Sequence, residues 1–360
     1  MKYIDEYRDR KLAMKLADQI KRSARGNYVF MEVCGGHTSA IYRFGIPSLL
    51  PENIKLLSGP GCPVCVTGTD FIDLSVEYSK MSDVVITTFG DLIRVPGSET
   101  SLDNMKSAGA DIRIVFSGLD ALEIARLNPD KKVIFLGIGF ETTAPGSAVT
   151  VKKAMQEGVA NFSLLSAHKL MPPVMDALLC NGAELDGFIC PGHVSAITGS
   201  AYYNFIPEKY KKGCVVAGFE PTDILQAILM LVRQVNNNDP AVEIQYTRVV
   251  TKDGNRMAMD LMKEVFKPYD ALWRGFGQIP ASGLIMNDRY KKFDPLSEIP
   301  VRVKSHQENK FCICGPILRG IKTPGDCSLF RTVCNPDNPV GACMVSPEGS
   351  CNTWYKYRLL

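Results

Sequence analysis

The sequence predicts an α/β fold in which two similar parallel-sheet domains flank a cleft and a small cysteine-rich domain follows them. Short apolar segments rich in β-branched residues alternate with longer helical segments, a pattern typical of parallel sheets with crossover helices. The segment FLGIGFETTAPGSAVTV resembles VVAGFEPTDILQAI, which favours two similar α/β domains. After residue 300 proline, glycine and cysteine become frequent, which indicates a small domain that a metal centre helps to hold together.

The individual elements are predicted from this alternation in chain order. A charged helix over residues 5–25 ends at Gly26-Asn27, and the first strand follows it. The predicted strands are YVFMEVC (28–34), KLLSGPGC (55–62), DVVITTFG (83–90), IRIVFSG (112–118), KKVIFLGIGFETTAP (131–145), NFSLLSAHK (161–169), LDGFICPGH (185–193) and GCVVAGFE (213–220). The predicted helices between strands include residues 67–81, 118–128 and 146–158.

The composition is that of a soluble globular protein and argues against two classes. The chain has 360 residues, of which 46% are hydrophobic and 22% charged, so it can form a large core. Its formal net charge is only +3 and it has no dense block of lysine and arginine, which argues against nucleic-acid binding. The N-terminal segment is charged and lacks the apolar core of a signal peptide, and no apolar run is long enough to span a membrane. We therefore expect a cytoplasmic protein.

The chain contains twelve cysteines, which in a reducing compartment favours metal, cluster or catalytic thiols over structural disulfides. Three of them, Cys180, Cys190 and Cys214, stand singly among apolar residues. A free cysteine in such surroundings is usually a small buried hydrophobic residue, and we expect this of all three.

The block CGGH, from Cys34 to His37, follows a predicted strand and begins a predicted helix. A thiolate and an imidazole at this spacing suit iron or zinc. The helix N-terminus is also expected to favour the thiolate form of Cys34. The alternative is a glycine turn with a buried cysteine and a capping histidine.

The block GPGCPVC places Cys62 and Cys65 at the C-x-x-C spacing of redox-active dithiols, again where a strand meets a helix. A four-cysteine zinc site would need a second C-x-x-C pair, and the sequence has none. The spacing therefore favours a redox pair over structural zinc.

Polar residues follow several other predicted strands. Glu141, Thr142 and Thr143 lie at the C-terminal end of one strand, and His168 and His193 end two more. Open α/β sheets bind ligands at the carboxyl ends of their strands, so these turns predict one shared cleft. Each turn alone is also explained by a helix cap. The sequence has no P-loop and no G-x-G-x-x-G after a strand.

The C-terminal fifty residues contain half of all the cysteines. Four thiolates hold a 4Fe–4S cluster, so two thiols are left over, and spacing alone does not identify the four. A zinc ribbon is the alternative. The six are Cys312, Cys314, Cys327, Cys334, Cys343 and Cys351.

The blocks CGGHT, GPGCPVC, GFETTAP and PGHVSAITG, with the cysteine-rich tail, resemble the HypD proteins, which help to build the iron centre of nickel–iron hydrogenases. The resemblance runs from about residue 30 to the end. It implies two α/β domains and a third domain with a 4Fe–4S cluster. We accordingly predict an N-terminal helix within 1–30 that packs on the C-terminal domain, α/β domains over 31–127 and 128–300, and the cluster domain over 301–360.

The resemblance also implies a function and partners. With its small partner HypC, the chain is expected to form a scaffold on which iron acquires two cyanides and one carbon monoxide. HypE is expected to supply the cyanide as a thiocyanate on its own C-terminal cysteine. We expect the chain to be a monomer on its own.

Residue roles follow from the same resemblance. Cys34 becomes the iron-binding thiol with His37 close by, and Cys62 and Cys65 become a redox pair near them. In the tail, the pattern C-x14-C-x6-C-x16-C assigns the cluster to Cys312, Cys327, Cys334 and Cys351. Cys314 and Cys343 are then a second redox pair, as in ferredoxin–thioredoxin reductases. The usual CGGHTH ends here with Ser39.

Two other functions remain compatible with parts of the sequence. One is a cluster-dependent oxidoreductase that acts on a protein disulfide, although such an enzyme needs no CGGH block. The other is a binding module whose tail is held by zinc.

Overall fold

The computed structural model describes residues 5–303 and 309–358 and is an α/β protein with two parallel sheets and one antiparallel hairpin. The predicted α/β class with parallel sheets is therefore confirmed. The strands are β1 Tyr28–Glu32, β2 Ile54–Ser58, β3 Val84–Thr88, β4 Ile112–Ile114, β5 Lys132–Gly139, β6 Phe162–His168, β7 Gly187–Pro191, β8 Gly213–Ala217, β9 Val242–Ile244, β10 Phe266–Trp273 and β11 Gly277–Met286.

Helices connect these strands and form the C-terminal part of the chain. The α-helices are α1 Arg10–Ser23, α2 Gly35–Arg43, α3 Ile46–Leu49, α4 Pro63–Val66, α5 Thr69–Ser79, α6 Leu102–Ser107, α7 Gly118–Leu127, α8 Ala144–Glu157, α9 Met171–Cys180, α10 Gly192–Thr198, α11 Pro221–Asn237, α12 Arg256–Val265, α13 Pro295–Glu298, α14 Cys314–Leu318, α15 Ala342–Val345 and α16 Ser350–Tyr357. None of the described helices is both long and apolar enough to cross a membrane.

The first sheet has five parallel strands in the order β2-β1-β7-β8-β9. Its central strands β7 and β8 are buried at every residue, which is why they read as continuous apolar runs in the sequence. Each of β1, β2, β7 and β8 is followed by a helix. The carboxyl ends of four strands thus meet at one edge of the sheet.

The second sheet has four parallel strands in the order β4-β3-β5-β6. Strand β3 pairs with β4 on one side and with β5 on the other. Helices α7 and α8 pack against this sheet through small and branched apolar side chains.

The two sheets do not follow the predicted division of the chain at residues 127 and 128. That division separates β4 from β5, although both pair with β3. It also separates β1 and β2 from β7, although β1 pairs with β7. The chain leaves the first sheet after β2, builds the whole second sheet and then returns. Local alternation cannot predict such a return, because it does not specify which strands pair.

The N-terminal helix α1 also differs from its predicted packing. Its main contact is with α11 of the first sheet rather than with the cysteine-rich tail. Buried Ala13, Ala17 and Ile20 form its inner face, and Arg8 just before it pairs with Glu220 at the start of α11. The first sheet therefore carries α1 on its α11 side.

The hairpin of β10 and β11 was not predicted from the sequence. It turns at Gly275 and Gly277, both with positive φ, a conformation that glycine adopts without strain. Isolated bridges join it to both sheet regions, from Trp273 to Thr67 and from Gly283 to Lys169. The available signal was this pair of glycines, two and four residues after Trp273, which ends the aromatic-rich segment FKPYDALW.

The described tail, residues 309–358, consists of short helices and turns and contains no named strand. It packs directly on the first sheet region, with α16 against α2 and α15 against α4. The cysteine-rich segment thus lies over the helices that follow β1 and β2.

Candidate functional site

Three of the sequence blocks meet at the carboxyl edge of the first sheet. Cys34 is the N-cap residue of α2 after β1, and Cys62 is the N-cap residue of α4 after β2. His193 lies in the first turn of α10, after β7. Because β2, β1 and β7 are neighbours in the sheet, these turns lie side by side. The prediction that the blocks sit at strand-to-helix turns is confirmed.

The loop of GPGCPVC lies directly against Cys34. The Gly35 N–H donates to the Gly61 carbonyl oxygen at 2.9 Å. A Cβ atom on Gly61 would overlap the backbone of Cys34. Glycine at position 61 is therefore what lets the two cysteine blocks approach each other.

Two carboxylates lie beside the Cys34 thiol. Glu32, buried at the end of β1, accepts hydrogen bonds from the Cys34 N–H at 3.1 Å and from the Thr38 hydroxyl. Glu348, from the tail, packs so closely on Gly35 that a Cβ there would overlap it. Burial raises the pKa of Glu32 to about 8 and also raises the pKa of Glu348.

The N-terminus of α2 favours the thiolate form of Cys34, as predicted, but other influences on its pKa outweigh it. Burial and the charges of Glu348 and Glu32 raise the pKa of Cys34 to about 12. The backbone N–H groups of His37 and Gly36 act in the opposite direction but are the weaker influence. Without a cation beside it, this thiol stays protonated at neutral pH.

His37 is fully buried in a stack of three rings. Phe219 lies between the two imidazoles, with ring centroids 4.6 Å from His37 and 4.1 Å from His193. His37 Nε2 donates to the Gly218 carbonyl at 2.9 Å, so Nδ1 is the unprotonated nitrogen, and it is buried without a hydrogen-bond partner among the described residues. Burial lowers the pKa of His37 to about 4, so the ring is neutral.

Cys62 and Cys65 are joined by a disulfide, with their Cα atoms 5.2 Å apart. Both residues are buried, and the Cys65 N–H donates to the Cys62 sulfur at 3.2 Å. The C-x-x-C block is thus held in a geometry that permits the bond. Whether the pair cycles between dithiol and disulfide stays a prediction.

The tail forms a narrow cavity lined by thiols. Its other lining residues are apolar or glycine. All six tail cysteines contribute, namely Cys312, Cys314, Cys327, Cys334, Cys343 and Cys351. Among them, the Cys314 and Cys343 sulfurs are 2.8 Å apart. The fold therefore brings together residues separated by up to 39 positions.

The thiol cavity suits a cluster held by cysteines around it. Gly341 is needed here, because a Cβ at that position would lie 2.6 Å from the Cys312 sulfur. The Val340 N–H donates to the Cys334 sulfur at 3.3 Å, a contact that stabilises a thiolate. Among the described residues no three His, Cys, Asp or Glu side chains are gathered closely enough to hold a single metal ion. An iron–sulfur cluster needs no such convergence, because each thiolate binds a different iron.

The tail segment that carries the thiols contacts the disulfide of the first sheet. The Cys65 sulfur lies 4.0 Å from the carbonyl oxygen of Ala342, the residue before Cys343. Both thiol pairs belong to one apolar cluster that includes Val64 and Val345. The described structure thus brings Cys34, the Cys62–Cys65 disulfide and the thiol cavity into one continuous region.

The remaining predicted site residues lie at the second sheet. Glu141, fully buried after β5, accepts hydrogen bonds from the Met171 N–H and the Tyr202 hydroxyl, both at 2.9 Å. Burial raises the pKa of Glu141 to about 7. Thr142 is exposed, and the Thr143 hydroxyl donates back to the Ile138 carbonyl. A single cleft shared with Cys34 stays a prediction.

His168 is fully buried at the end of β6, between the hydroxyls of Ser147 and Ser166 at 3.1 Å each. Burial lowers the pKa of His168 to about 3, so it is a neutral, satisfied core residue.

Of the three cysteines predicted to be buried, two are buried and one is exposed. Cys190 and Cys214 are buried on neighbouring strands of the first sheet, as expected. Cys180 is exposed, which contradicts the prediction. Cys180 is the last residue of α9. The apolar residues of this helix face the core, and Cys180 lies on the opposite face.

Three residues around Cys34 were not predicted from the sequence. A signal existed for Glu32, a lone acid in the otherwise apolar strand YVFMEV. Phe219 lies in the Gly-Phe-Glu repeat of the two similar segments, which predicted a turn but no ring stack. No sequence signal connects Glu348 to Cys34, because only the folded tail brings them together.

Comparison with known proteins supplies the family. A family described as "HypD: Hydrogenase formation hypA family" matches residues 11–358. The hydrogenase maturation factor HypD of Cupriavidus necator is 46% identical over 368 residues, covering 99% of this chain and 97% of the relative. That of Azotobacter vinelandii is 45% identical over 367 residues, with the same coverage. A putative hydrogenase expression/formation protein of Methanocaldococcus jannaschii is 47% identical over 352 residues, covering 97% of this chain and 98% of the relative.

Proposed function

This chain belongs to the HypD family, and from that premise we propose that it is a hydrogenase maturation factor. It acts as the scaffold and redox component on which the Fe(CN)2CO unit of nickel–iron hydrogenases is assembled. HypC shares the iron, and HypE delivers the cyanide. The observation that supports this most is that the Cys34 turn packs on the loop of the Cys62–Cys65 disulfide, while Cys65 contacts the tail backbone beside Cys343.

Iron is the substrate of this scaffold, and Cys34 is its protein ligand. A soft thiolate suits iron that carries cyanide and carbon monoxide. The surroundings of Cys34 fit a bound cation, because a positive charge there would favour the ionised forms of Glu32 and Glu348, which burial disfavours. A bound cation attracts the thiolate and so outweighs the repulsion between the thiolate and these carboxylates. His37 and His193 form the wall of the site through their stack on Phe219.

The thiol cavity would hold a 4Fe–4S cluster through Cys312, Cys327, Cys334 and Cys351. When bound, the cluster supplies electrons to the neighbouring thiols. Cys314 and Cys343 are left as a pair, and the 2.8 Å between their sulfurs suits a dithiol that closes to a disulfide. Their backbone neighbour Ala342 contacts Cys65, so the second pair lies next to the first.

The two pairs can exchange their oxidation states without any other reactant. A thiolate of the Cys314/Cys343 pair attacks the Cys62–Cys65 disulfide and forms a mixed disulfide, which the second thiol of the pair resolves. Two electrons and two protons pass to Cys62 and Cys65, and Cys314 and Cys343 become the disulfide. This exchange regenerates the Cys62/Cys65 dithiol, and an external reductant must then supply two electrons and two protons to return Cys314 and Cys343 to the dithiol before the next cycle.

The reduced Cys62/Cys65 pair then releases cyanide from the HypE thiocyanate. The bond between the thiocyanate sulfur and the cyanide carbon breaks, and the cysteine of HypE leaves as a thiol. Cys62 and Cys65 supply two electrons and two protons and close to a disulfide. The cyanide carbon passes to the iron at Cys34, and its proton is released.

A disulfide oxidoreductase is the second candidate, and the Cys62–Cys65 disulfide is the observation that favours it. It needs both thiol pairs but makes no use of Cys34. The two functions therefore differ in whether Cys34 is required.

The test is hydrogenase maturation in a strain that lacks its own HypD. Cys34→Ala, Cys62→Ser and Cys65→Ser should each abolish hydrogenase activity while the protein accumulates normally. The matched control is Cys180→Ala, because Cys180 is an exposed cysteine outside the site, and it should support full activity. Normal maturation with Cys34→Ala would contradict the scaffold and leave the oxidoreductase as the better account.

A further inference from the structure

A second cavity, of about 230 Å³, lies outside the thiol region. It is bounded by β6 of the second sheet, the start of α5, the β10–β11 hairpin and α13. Most of its lining is apolar, including Phe71, Leu74 and Leu164. A small cavity with an apolar lining and a few polar groups is the usual form of a small-molecule site.

The most unusual wall residue is Lys169, which is only 4% exposed. Its ammonium donates one hydrogen bond, to the Leu272 carbonyl at 2.8 Å, and lies 5.2 Å from the ring centre of Trp273. An ammonium has three donors, so this group has further capacity toward the cavity. Burial lowers the pKa of Lys169 to about 8, which shows how poorly the protein alone solvates its charge.

Two carboxylates line the same cavity. Asp70 lies in the first turn of α5, and Asp294 is the N-cap residue of α13, where one of its oxygens accepts from the Leu296 N–H. Gly68 leaves room for Asp70, since a Cβ there would overlap the Asp70 carboxylate. The cavity therefore has acidic groups as well as a basic one.

Lys169 and Asp70 influence each other but do not touch. The charge of Asp70 counteracts the burial of Lys169, so the two groups are near each other. Yet within the described residues they form no ion pair, although Asp70 has no other salt bridge. An ammonium and a carboxylate thus face a common apolar space with a gap between them. A water-filled gap would leave both charges poorly paired inside an apolar wall.

From this arrangement we infer that the cavity binds a small zwitterion, an α-amino acid with an apolar side chain. Its carboxylate lies on Lys169, its ammonium on Asp70 and Asp294, and its side chain against Phe71, Leu74 and Leu164. A simple anion would pair with Lys169 but face two carboxylates. A simple amine would pair with the carboxylates and leave Lys169 unmatched. Only a zwitterion complements both ends, and the volume limits it to a small one.

The test is a thermal-shift screen of the purified protein with each of the twenty L-amino acids, followed by calorimetry with the best. A ligand that binds only the native state raises Tm in proportion to the logarithm of its concentration. The calorimetry also uses the methyl ester of that amino acid and its deaminated acid, each of which lacks one charge. We expect each analogue to bind about tenfold more weakly or worse, because each loses a charge-assisted hydrogen bond.

Variants then locate the site. Lys169→Met and Asp70→Asn should both abolish the shift, whereas Lys106→Met, a change of an exposed lysine, should keep it. If Lys169→Met fails to fold, Asp70→Asn decides, since Asp70 is only partly buried. No shift with any amino acid, equal binding of the zwitterion and its analogues, or full binding by Asp70→Asn would each overturn the inference. None of these outcomes bears on the role of Cys34.

Discussion

The thiols of the first sheet and the thiols of the tail are held by different means. Cys34 and Cys62 cap helices that follow paired parallel strands, and main-chain hydrogen bonds fix both turns. The tail thiols surround a cavity within short helices and turns, and the apolar cluster next to them is small. The sheet positions its cysteines with an ordinary core, whereas the tail has little core of its own.

This difference shows where the chain depends on a bound group. A region rich in paired strands keeps its shape when a thiol is removed. A region with few apolar contacts needs ligation to replace a core. The comparison therefore predicts that cysteine substitutions affect stability in the tail far more than in the sheet.

The largest effect is expected for the four proposed cluster ligands. Alanine at any one of them should bleach the visible absorbance and make the tail sensitive to limited proteolysis, because ligation there stands in for a core. Alanine at Cys314 or Cys343 should leave the iron content nearly intact. The ligand positions are Cys312, Cys327, Cys334 and Cys351. Equal iron loss in all six variants would show that the ligand set is wrong.

The second-largest loss of stability is expected at a backbone contact in the first sheet region. Gly61→Ala places a methyl group on the Cys34 backbone and should lower the free energy of unfolding by about 1–3 kcal/mol, as overpacking usually does. Gly26→Ala is the matched control, since no atom lies within 4 Å of its added Cβ. Denaturant unfolding of both variants measures the difference. Equal stability of the two variants would mean that the close approach of the two cysteine blocks does not depend on glycine at position 61.

A smaller, pH-dependent effect is expected from His168, which also belongs to the sheet region. Its pKa is about 3 in the folded protein and near 6.5 when unfolded, so only the unfolded chain takes up its proton between these values. The stabilisation is complete above pH 6.5 and is lost as the pH falls, by about 1.4 kcal/mol per unit.

His168→Gln should remove this dependence. Between pH 7.5 and 5.0 the wild-type free energy of unfolding should fall by about 2 kcal/mol more than that of the variant. Denaturant titrations at the two pH values measure it. Parallel losses in both proteins would mean that His168 is not the group that titrates.

Much of the sheet region could be predicted from the sequence. Parallel strands, the helices after them and the position of each motif at a strand-to-helix turn all follow from local patterns, and the structure confirms them. The C-x-x-C spacing predicted the proximity of Cys62 and Cys65, because three residues of separation already limit their distance. Which strands pair depends on long-range contacts, and so the division of the chain between the sheets was missed.

The electrostatics of the site were the least predictable part. The helix N-terminus predicted an acidic Cys34, but the net effect comes from burial and from Glu348, more than 300 residues away in the chain. Likewise, the short distance between Cys314 and Cys343 follows from the fold of the tail and not from their separation of 29 residues. Charges and contacts that come from distant segments leave no local pattern.

The central claim is that Cys34 holds the iron while the tail thiols hold the cluster. Infrared spectroscopy of the protein purified together with HypC, from cells that also produce HypE, tests it most directly. The wild-type complex should show carbonyl and cyanide stretches. Cys34→Ala should lose all of them while keeping the visible absorbance of the tail cluster. Unchanged stretches in Cys34→Ala would contradict the account and place the iron on another residue.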